Sequence, residues 1–428
     1  MNRVKFFLFL FLSAILFSCE KEEDEQVPLI DWEFPKEMQT FSATEEIFFK
    51  AEISDDRIIE EVEVGLFSKP DLLSVSSILR LNPKEKTVQI ARNFLISDTL
   101  LKSGIYFFRI LVKDGVNETV NFRDVKIEGI KKKKLGVLVS CESPGSTKLY
   151  HLDEEQNRSV LRTFSGSYFQ SKVNSIDQQF WFTTNEQKQV CVYQLKARQK
   201  DFQTQVISNF KLPFSDVDLD NRTFFLAKKE GEIISFDELF SERLLYKSIK
   251  PARKVTKVSA NEKHLLAEEV DLNGGNRSLQ IIYRNSGALR AEVFSSRVAV
   301  DIFFVDSKRA IIFQNDSSGG VLAELNIEEG GLRRMKNIQD SILNVLQIDA
   351  KNYLLSTKNK ILLYDFSRNT SLEFLPQGEA VLQYDVLENL IYLGSGNELF
   401  VYTFPLAKLK HQQTMPSVIR GIDIWYNR

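Results

Sequence analysis

From residue 135 to its end the chain repeats itself, and that periodicity limits its possible folds more than any other feature. An acid or Asn at a turn, followed three or four residues later by an apolar strand, occurs at Asp177, Asp220, Asn261, Asp306, Asp349 and Glu388, with Asn427 at the end. Successive spacings are 43, 41, 45, 43, 39 and 39 residues. A second marker closes the strand after that one, at Tyr150, Tyr193, Phe236, Tyr283, Glu324, Tyr364 and Tyr402, with spacings of 43, 43, 47, 41, 40 and 38. Two markers keeping one period define a structural unit of constant size. One such unit cannot bury both of its faces, so the units must stack.

A period of about 40–45 residues with short apolar strands is the signature of a β-propeller, in which each repeat is a four-stranded blade. Segments such as Ile361-Leu362-Leu363-Tyr364 and Leu399-Phe400-Val401-Tyr402 are short and bounded by turns, which argues against a helical solenoid of the same period. Seven strand-closing markers predict seven blades. The first blade lacks its inner strand, because Lys131–Lys134 occupies that place. The C-terminal run Ser417–Tyr426 is apolar enough to supply it beside Gly136–Cys141 and so to close the ring, removing an open sheet edge. The repeats carry no Gly-His or Trp-Asp signatures, so they resemble propellers in general and not the WD-repeat family.

Residues 27–129 read as a separate all-β body. Period-2 alternation recurs in Glu46–Ile53, Ile59–Leu66, Ile105–Val112 and Val120–Ile127, with turn signals at Ser54-Asp55-Asp56, Asn82-Pro83-Lys84, Ser97-Asp98 and Lys113-Asp114-Gly115. That spacing predicts a sandwich. Gly104–Ile127 resembles the last hairpin of an immunoglobulin-like or cadherin-like bacterial module, without a cysteine pair. Lys131–Lys134 is four like charges in a row and reads as a solvated linker.

The N-terminus carries an address. Asn2, Arg3 and Lys5 precede a twelve-residue apolar run, Phe6–Phe17, broken only by Ser13. A membrane-spanning helix needs about 20 apolar residues, so the run reads as a signal peptide. Leu16-Phe17-Ser18-Cys19 resembles a lipobox, which makes Cys19 the acylated residue and the membrane anchor. The following Glu20-Lys21-Glu22-Glu23-Asp24-Glu25 resembles the surface-export signal of Bacteroidota lipoproteins. The expected organisation is a signal peptide (1–18), a lipidated acidic tether (19–26), an immunoglobulin-like β-sandwich (27–129), a basic linker (130–134) and a seven-bladed propeller (135–428). The resemblance implies an outer-membrane, lipid-anchored protein exposed at the cell surface.

Chemical signatures are sparse. Charge is nearly balanced, with 56 basic and 58 acidic residues, and removing the signal leaves a net charge of −4. Such a chain lacks the basic footprint of a nucleic-acid binder. Nucleophile-elbow, zinc-protease, dinucleotide and phosphate-loop motifs are all missing, so no catalytic residue, metal ligand or cofactor is assigned. His151, His264 and His411 stand alone in sequence. Cys141 and Cys191 are expected on neighbouring blades as buried free thiols, because a disulfide needs Cα atoms within about 7 Å. Asp216-Val217-Asp218-Leu219-Asp220-Asn221 opens like a calcium loop but has Asn221 where that loop needs Gly and Ala227 where it needs a bidentate Glu.

Polar residues expected on the inner strands are the candidate ligand-binding set: Asn174, Asp216, Asp301, Asn344, Gln383, Arg420 and Asp423. The functional expectation is non-catalytic binding of a protein partner or glycan by the propeller, as a subunit of an outer-membrane assembly or alone. The alternative is a propeller-fold polysaccharide lyase or glycoside hydrolase using acids in the central channel.

Overall fold

In the computed structural model of the chain, residues 26–69, 72–96, 100–184, 188–195, 204–209 and 214–428 are described. Cys19, the signal run and the acidic tether lie outside these residues. Every regular element described is a β-strand. The strands form two compact units that divide between Lys131 and Lys132.

In the first unit, Leu29–Phe34, Glu46–Ile59 and Glu85–Leu95 make a three-stranded sheet. Gln39–Ser42, Glu118–Glu128, Gly104–Lys113, Glu61–Ser68 and Leu79–Leu81 make a five-stranded one, in that order. Alternate residues of both sheets meet in one core. At its centre Phe108, from the larger sheet, packs 5.4 Å from Phe49 and 5.3 Å from Phe94 of the smaller one, ring centre to ring centre. The hairpin read at Gly104–Ile127 is present, paired from Gly104↔Ile127 to Lys113↔Glu118. Its turn is held by Asp114, whose Oδ1 accepts the amides of Val116 and Asn117 at 2.7 and 2.5 Å.

The second unit has propeller architecture. Among the described residues it contains seven four-stranded antiparallel sheets. Their first strands are Val418–Tyr426, Tyr168–Asn174, Phe214–Asp220, Arg253–Ala260, Val298–Phe304, Ile342–Gln347 and Val381–Asp385. Each of these contacts the next, and the last contacts Val418–Tyr426 again, so the ring is closed. Adjacent residues on one strand serve opposite faces. Phe224 packs towards the preceding sheet, where it stacks 4.6 Å from Trp181, while Phe225 packs towards the following one. Each junction between neighbouring sheets thereby has its own apolar core, seven in all among the described residues. Fully burying one such large side chain stabilises by about 1.5–3 kcal/mol.

Both sequence markers have physical causes. Asn261, Asp306 and Asp349 accept backbone amides two and three residues ahead, closing the turn from first to second strand. In two sheets that role falls three residues before the marker, on Asn174 and Asp385. The strand-closing markers all lie on third strands.

The ring closes where the C-terminal strand pairs with Lys134–Ser143, from Val418↔Glu142 to Tyr426↔Lys134. At Lys134 this departs from the reading of 130–134 as a solvated linker, while Lys131, Lys132 and Lys133 are exposed. Lys134 is buried, with its ammonium 2.9 Å from Asp385 Oδ2 and 2.5 Å from Glu388 Oε2. Burial alone pulls its pKa down, but the hydrogen bonds to Glu388 and Asp385 more than reverse this and hold it above the ordinary lysine range. Four like charges in sequence hid one that finds two carboxylates from a sheet 250 residues away in the chain.

Candidate functional site: the central channel

The first strands of the sheets surround a cavity of about 390 Å³. Its wall is built by a recurrent irregularity. The pairing register of first and second strands shifts immediately before Gln170, Asp216, Lys257, Asp301 and Asn344. A bulge bends its strand and re-aims the residues beside it, and all five of these residues line the cavity. Lys172, Asp218, Gln383 and Asp423 join them.

Of the sequence-predicted set, Asp216, Asp301, Asn344, Gln383 and Asp423 line the cavity, and Asn174 and Arg420 do not. Asn174 is buried in its turn, with Oδ1 accepting the amides of Ile176 and Asp177 and Nδ2 donating to Asp177 at 2.8 Å. Arg420 is itself the bulged residue, between the pairs Ile419↔Cys141 and Gly421↔Ser140, which throws it outward onto Glu142 at 2.7 Å. The residues missed were Gln170, Lys172, Asp218 and Lys257. A period-2 reading forward from Gln170 or Asp216 gives Lys172 and Asp218, but nothing local in the sequence announces Lys257.

Most of the carboxylates are engaged by the protein itself. Asp216 accepts from Gln170 Nε2 at 3.0 Å, from the Val258 amide at 3.0 Å and from Lys257 at 3.4 Å. Asp218 accepts the Ala260 amide of the next sheet at 2.8 Å, and Asp423 accepts the Ser171 hydroxyl at 2.6 Å. These bonds stitch neighbouring first strands together. Asp301 differs: among the described residues its carboxylate accepts only the amide of the next residue, Ile302, at 2.9 Å. Lys172 lies deep in the channel and forms no hydrogen bond or close ion pair among the described residues, and Gln383 makes no hydrogen bond there.

Electrostatics follow from the count of four carboxylates against two ammonium groups. Burial pushes Asp301 up to about 6, with Lys257 and Lys172 opposing and Asp216 reinforcing the shift. Burial also raises Asp218 and Asp423, against the pull of Lys172 and of their own hydrogen bonds. For Lys172 burial acts downward, but Asp218, Asp301, Asp423 and Asp216 outweigh it and the net shift is upward. Lys257 is raised in the same way by Asp216 and Asp301. All these groups hold protons more tightly than in water, as expected where negative charge is in excess.

The cavity is not a calcium loop. Asp216 and Asp218 sit on an extended strand, and Asp220 turns away to Arg284. Among the described residues no three His, Cys, Asp or Glu side chains converge to hold a metal ion. His151, His264 and His411 do not line the cavity. Cys141 and Cys191 are buried free thiols, which burial pushes up to about 12 and about 11.

A second depression, of about 810 Å³, runs beside the channel and shares Asn344 with it. Glu142, Tyr168, Phe169, Glu379 and Arg420 line it. Polar chains and two aromatic rings therefore lie beside the cavity where the two depressions meet at Asn344.

Among known proteins, no family matches this chain and no curated protein does. Solved structures similar to it include a quinonprotein alcohol dehydrogenase-like protein from Bacteroides thetaiotaomicron, 11% identical, covering 92% of this chain and 97% of the other with a TM-score of 0.49. The WD40 β-propeller domain of Doa1 is 12% identical, covering 57% and 81% with a TM-score of 0.45. AztD from Citrobacter koseri is 10% identical, covering 68% and 97%, also at 0.45. Likeness at this level carries no functional argument, and the propeller assignment stands on the ring of sheets itself.

Proposed function

We propose that this chain is a lipid-anchored envelope protein that binds a glycan at the channel end of a seven-bladed propeller. The anchor is Cys19, the compartment is the outer membrane and the exposed side is the cell surface, on the strength of the lipobox-like and acidic segments at the N-terminus. The immunoglobulin-like sandwich acts as a spacer, and the C-terminal strand closes the ring. The observation that carries the binding role is the division of labour among the channel's polar groups. Asp216, Asp218 and Asp423 are engaged by neighbouring strands, whereas Asp301, Lys172 and Gln383 face the cavity with bonding capacity unused. Such a wall suits a hydrophilic, hydroxyl-rich ligand better than an apolar one.

Binding without covalent chemistry fits better than hydrolysis or elimination. A glycosidase needs one carboxyl free as acid and another free as base or nucleophile, and here Asp216, Asp218 and Asp423 are each bonded to a neighbouring strand, which leaves Asp301 as the one without such a bond among the described residues. The test is to purify the full chain from its native membrane in mild detergent and present it with envelope and host glycans. Retention of a glycan of unchanged length supports the reading. Shortening of that glycan, abolished by Asp301→Asn or Asp423→Asn, refutes it in favour of a lyase or hydrolase. A stoichiometric protein partner with no glycan retained also refutes it, in favour of an assembly subunit.

A further inference from the structure

Resting on that glycan-binding reading, we infer that the channel selects a sugar bearing a free amino group, with Asp301 as the acceptor of its ammonium. The cavity wall carries Asp216, Asp218, Asp301 and Asp423 but only Lys172 and Lys257 as cations. A ligand cation corrects that excess, while a ligand anion adds to it. Where the positive group docks follows from which acceptor is free. Asp216 already accepts three hydrogen bonds, and Asp218 and Asp423 are each tied to a neighbouring strand. Asp423 keeps one oxygen without a donor but is held through the other by Ser171, whereas Asp301 has no bond to any other strand among the described residues, its one donor being the amide of the next residue. Inside a cavity, a charge-assisted bond from ammonium to carboxylate is about twice as strong as a neutral one.

Lys172 sets the strength of this selection. Among the described residues its ammonium has no close partner, and the surrounding carboxylates act on it at longer range. It competes with a ligand ammonium for the same field. The cavity therefore tolerates one further cation with a net gain, and Lys172→Met removes the competitor. Gln383 and Asn344, whose amides point into the same space, serve the hydroxyl groups of the sugar. Acetylating the amino group abolishes the charge and leaves Asp301 unpaired, which a site built around a buried polar group penalises heavily.

Binding depends on pH through Asp301, whose carboxyl feels Lys257 on the adjacent first strand, Asp216 one strand further round and Lys172 across the channel, in a cavity that also holds Asp218, Asp423 and the uncharged Asn344 and Gln383. Its carboxyl is raised to about 6, so it is largely ionised near pH 7.5 and largely protonated near pH 5.

The experiment is calorimetric titration of the full chain in detergent with glucosamine, N-acetylglucosamine and glucose. Glucosamine is expected to bind at least about tenfold more tightly than either neutral sugar near pH 7.5, and to lose about tenfold on acidification to pH 5. Asp301→Asn is expected to erase the preference, and Lys172→Met to tighten glucosamine by about tenfold. Circular dichroism and a melting curve establish that each variant is folded. Equal binding of all three sugars, still sensitive to changes in the channel, overturns amine selection and leaves glycan binding intact. Failure of all three sugars and of every larger glycan overturns both readings. Glucosamine binding that Asp301→Asn does not alter overturns the assignment of the acceptor.

Discussion

Replacing Lys134 with Met removes the ammonium at the point where the ring closes. Lys134 and Asp385 have side chains 6% and 0% exposed, so their pairing is internal, whereas Glu388 is 42% exposed and can turn to water. Breaking a buried pair by deleting one partner costs about 3–5 kcal/mol, because the remaining charge stays buried. Two bonds soften the loss here. Asp385 Oδ1 still accepts from the Tyr426 hydroxyl at 3.1 Å and from the Leu387 amide at 3.0 Å. The expected cost is therefore at the lower end, about 3 kcal/mol, a large share of a total stability that is usually about 5–15 kcal/mol. Adding Asp385→Asn keeps the amide-accepting oxygen and removes the stranded charge, so the double variant recovers to within about 1 kcal/mol of the parent. The assay is urea unfolding followed by tryptophan fluorescence, since Trp425 lies on the closing strand with its indole donating to Gln178 at 2.9 Å. Because the folded pKa of Lys134 is raised, its contribution is full below the ordinary lysine value of 10.5 and is lost as pH rises through the higher folded value. A loss below about 1 kcal/mol for Lys134→Met, or no recovery in the double variant, refutes the buried-pair reasoning.

Other perturbations probe other parts of the account. Gly421→Ala places a methyl against the Tyr168 hydroxyl; overpacking of this kind costs about 1–3 kcal/mol, and thermal melts should show Tyr168→Phe restoring much of it. For Asp301 the folded pKa is raised from 3.8 to about 6, so the carboxyl stabilises the fold fully only below 3.8 and loses that contribution as pH rises through 6. Asp301→Asn is therefore expected to stabilise the chain by on the order of 2 kcal/mol near pH 7.5 and to be neutral near pH 3.5, and identical Asp301→Asn effects at the two pH values would contradict the burial argument. Cys19→Ala is expected to release the protein from membranes and abolish palmitate labelling, and continued membrane retention would remove the anchor. Replacing Glu20–Glu25 with Ala is expected to keep the lipid but lose protease accessibility on intact cells.

The ring was legible because its cause is periodic. In five sheets an Asn or Asp oxygen closes the turn from first to second strand, and the closing positions all fall on third strands, so both markers return at the period of the sheet. Strand pairing between the two ends of the propeller was legible for the related reason that one repeat lacked a strand and the C-terminal segment offered one. The channel was only partly legible, because bulges break the alternation from which inward-facing residues are read. Arg420 looks inward by spacing and is expelled because it is the bulge. Asn174 looks inward and is spent on a turn three residues ahead of its marker. Lys257 enters the channel from a strand whose neighbours, Lys254 and Thr256, give no hint of a polar interior. Lys134 was hidden by its company, since its partners Asp385 and Glu388 are distant in sequence and the other lysines beside it resemble a linker.

Hydrogen–deuterium exchange on the detergent-purified full chain, with and without a retained glycan, tests most directly whether the ring's channel is the binding site. Ligand protection is expected in Tyr168–Asn174, Phe214–Asp220, Arg253–Ala260, Val298–Phe304 and Val418–Tyr426, the first strands that carry the channel's charged groups. Protection confined to residues 27–129, with these five strands unchanged, would contradict that reading.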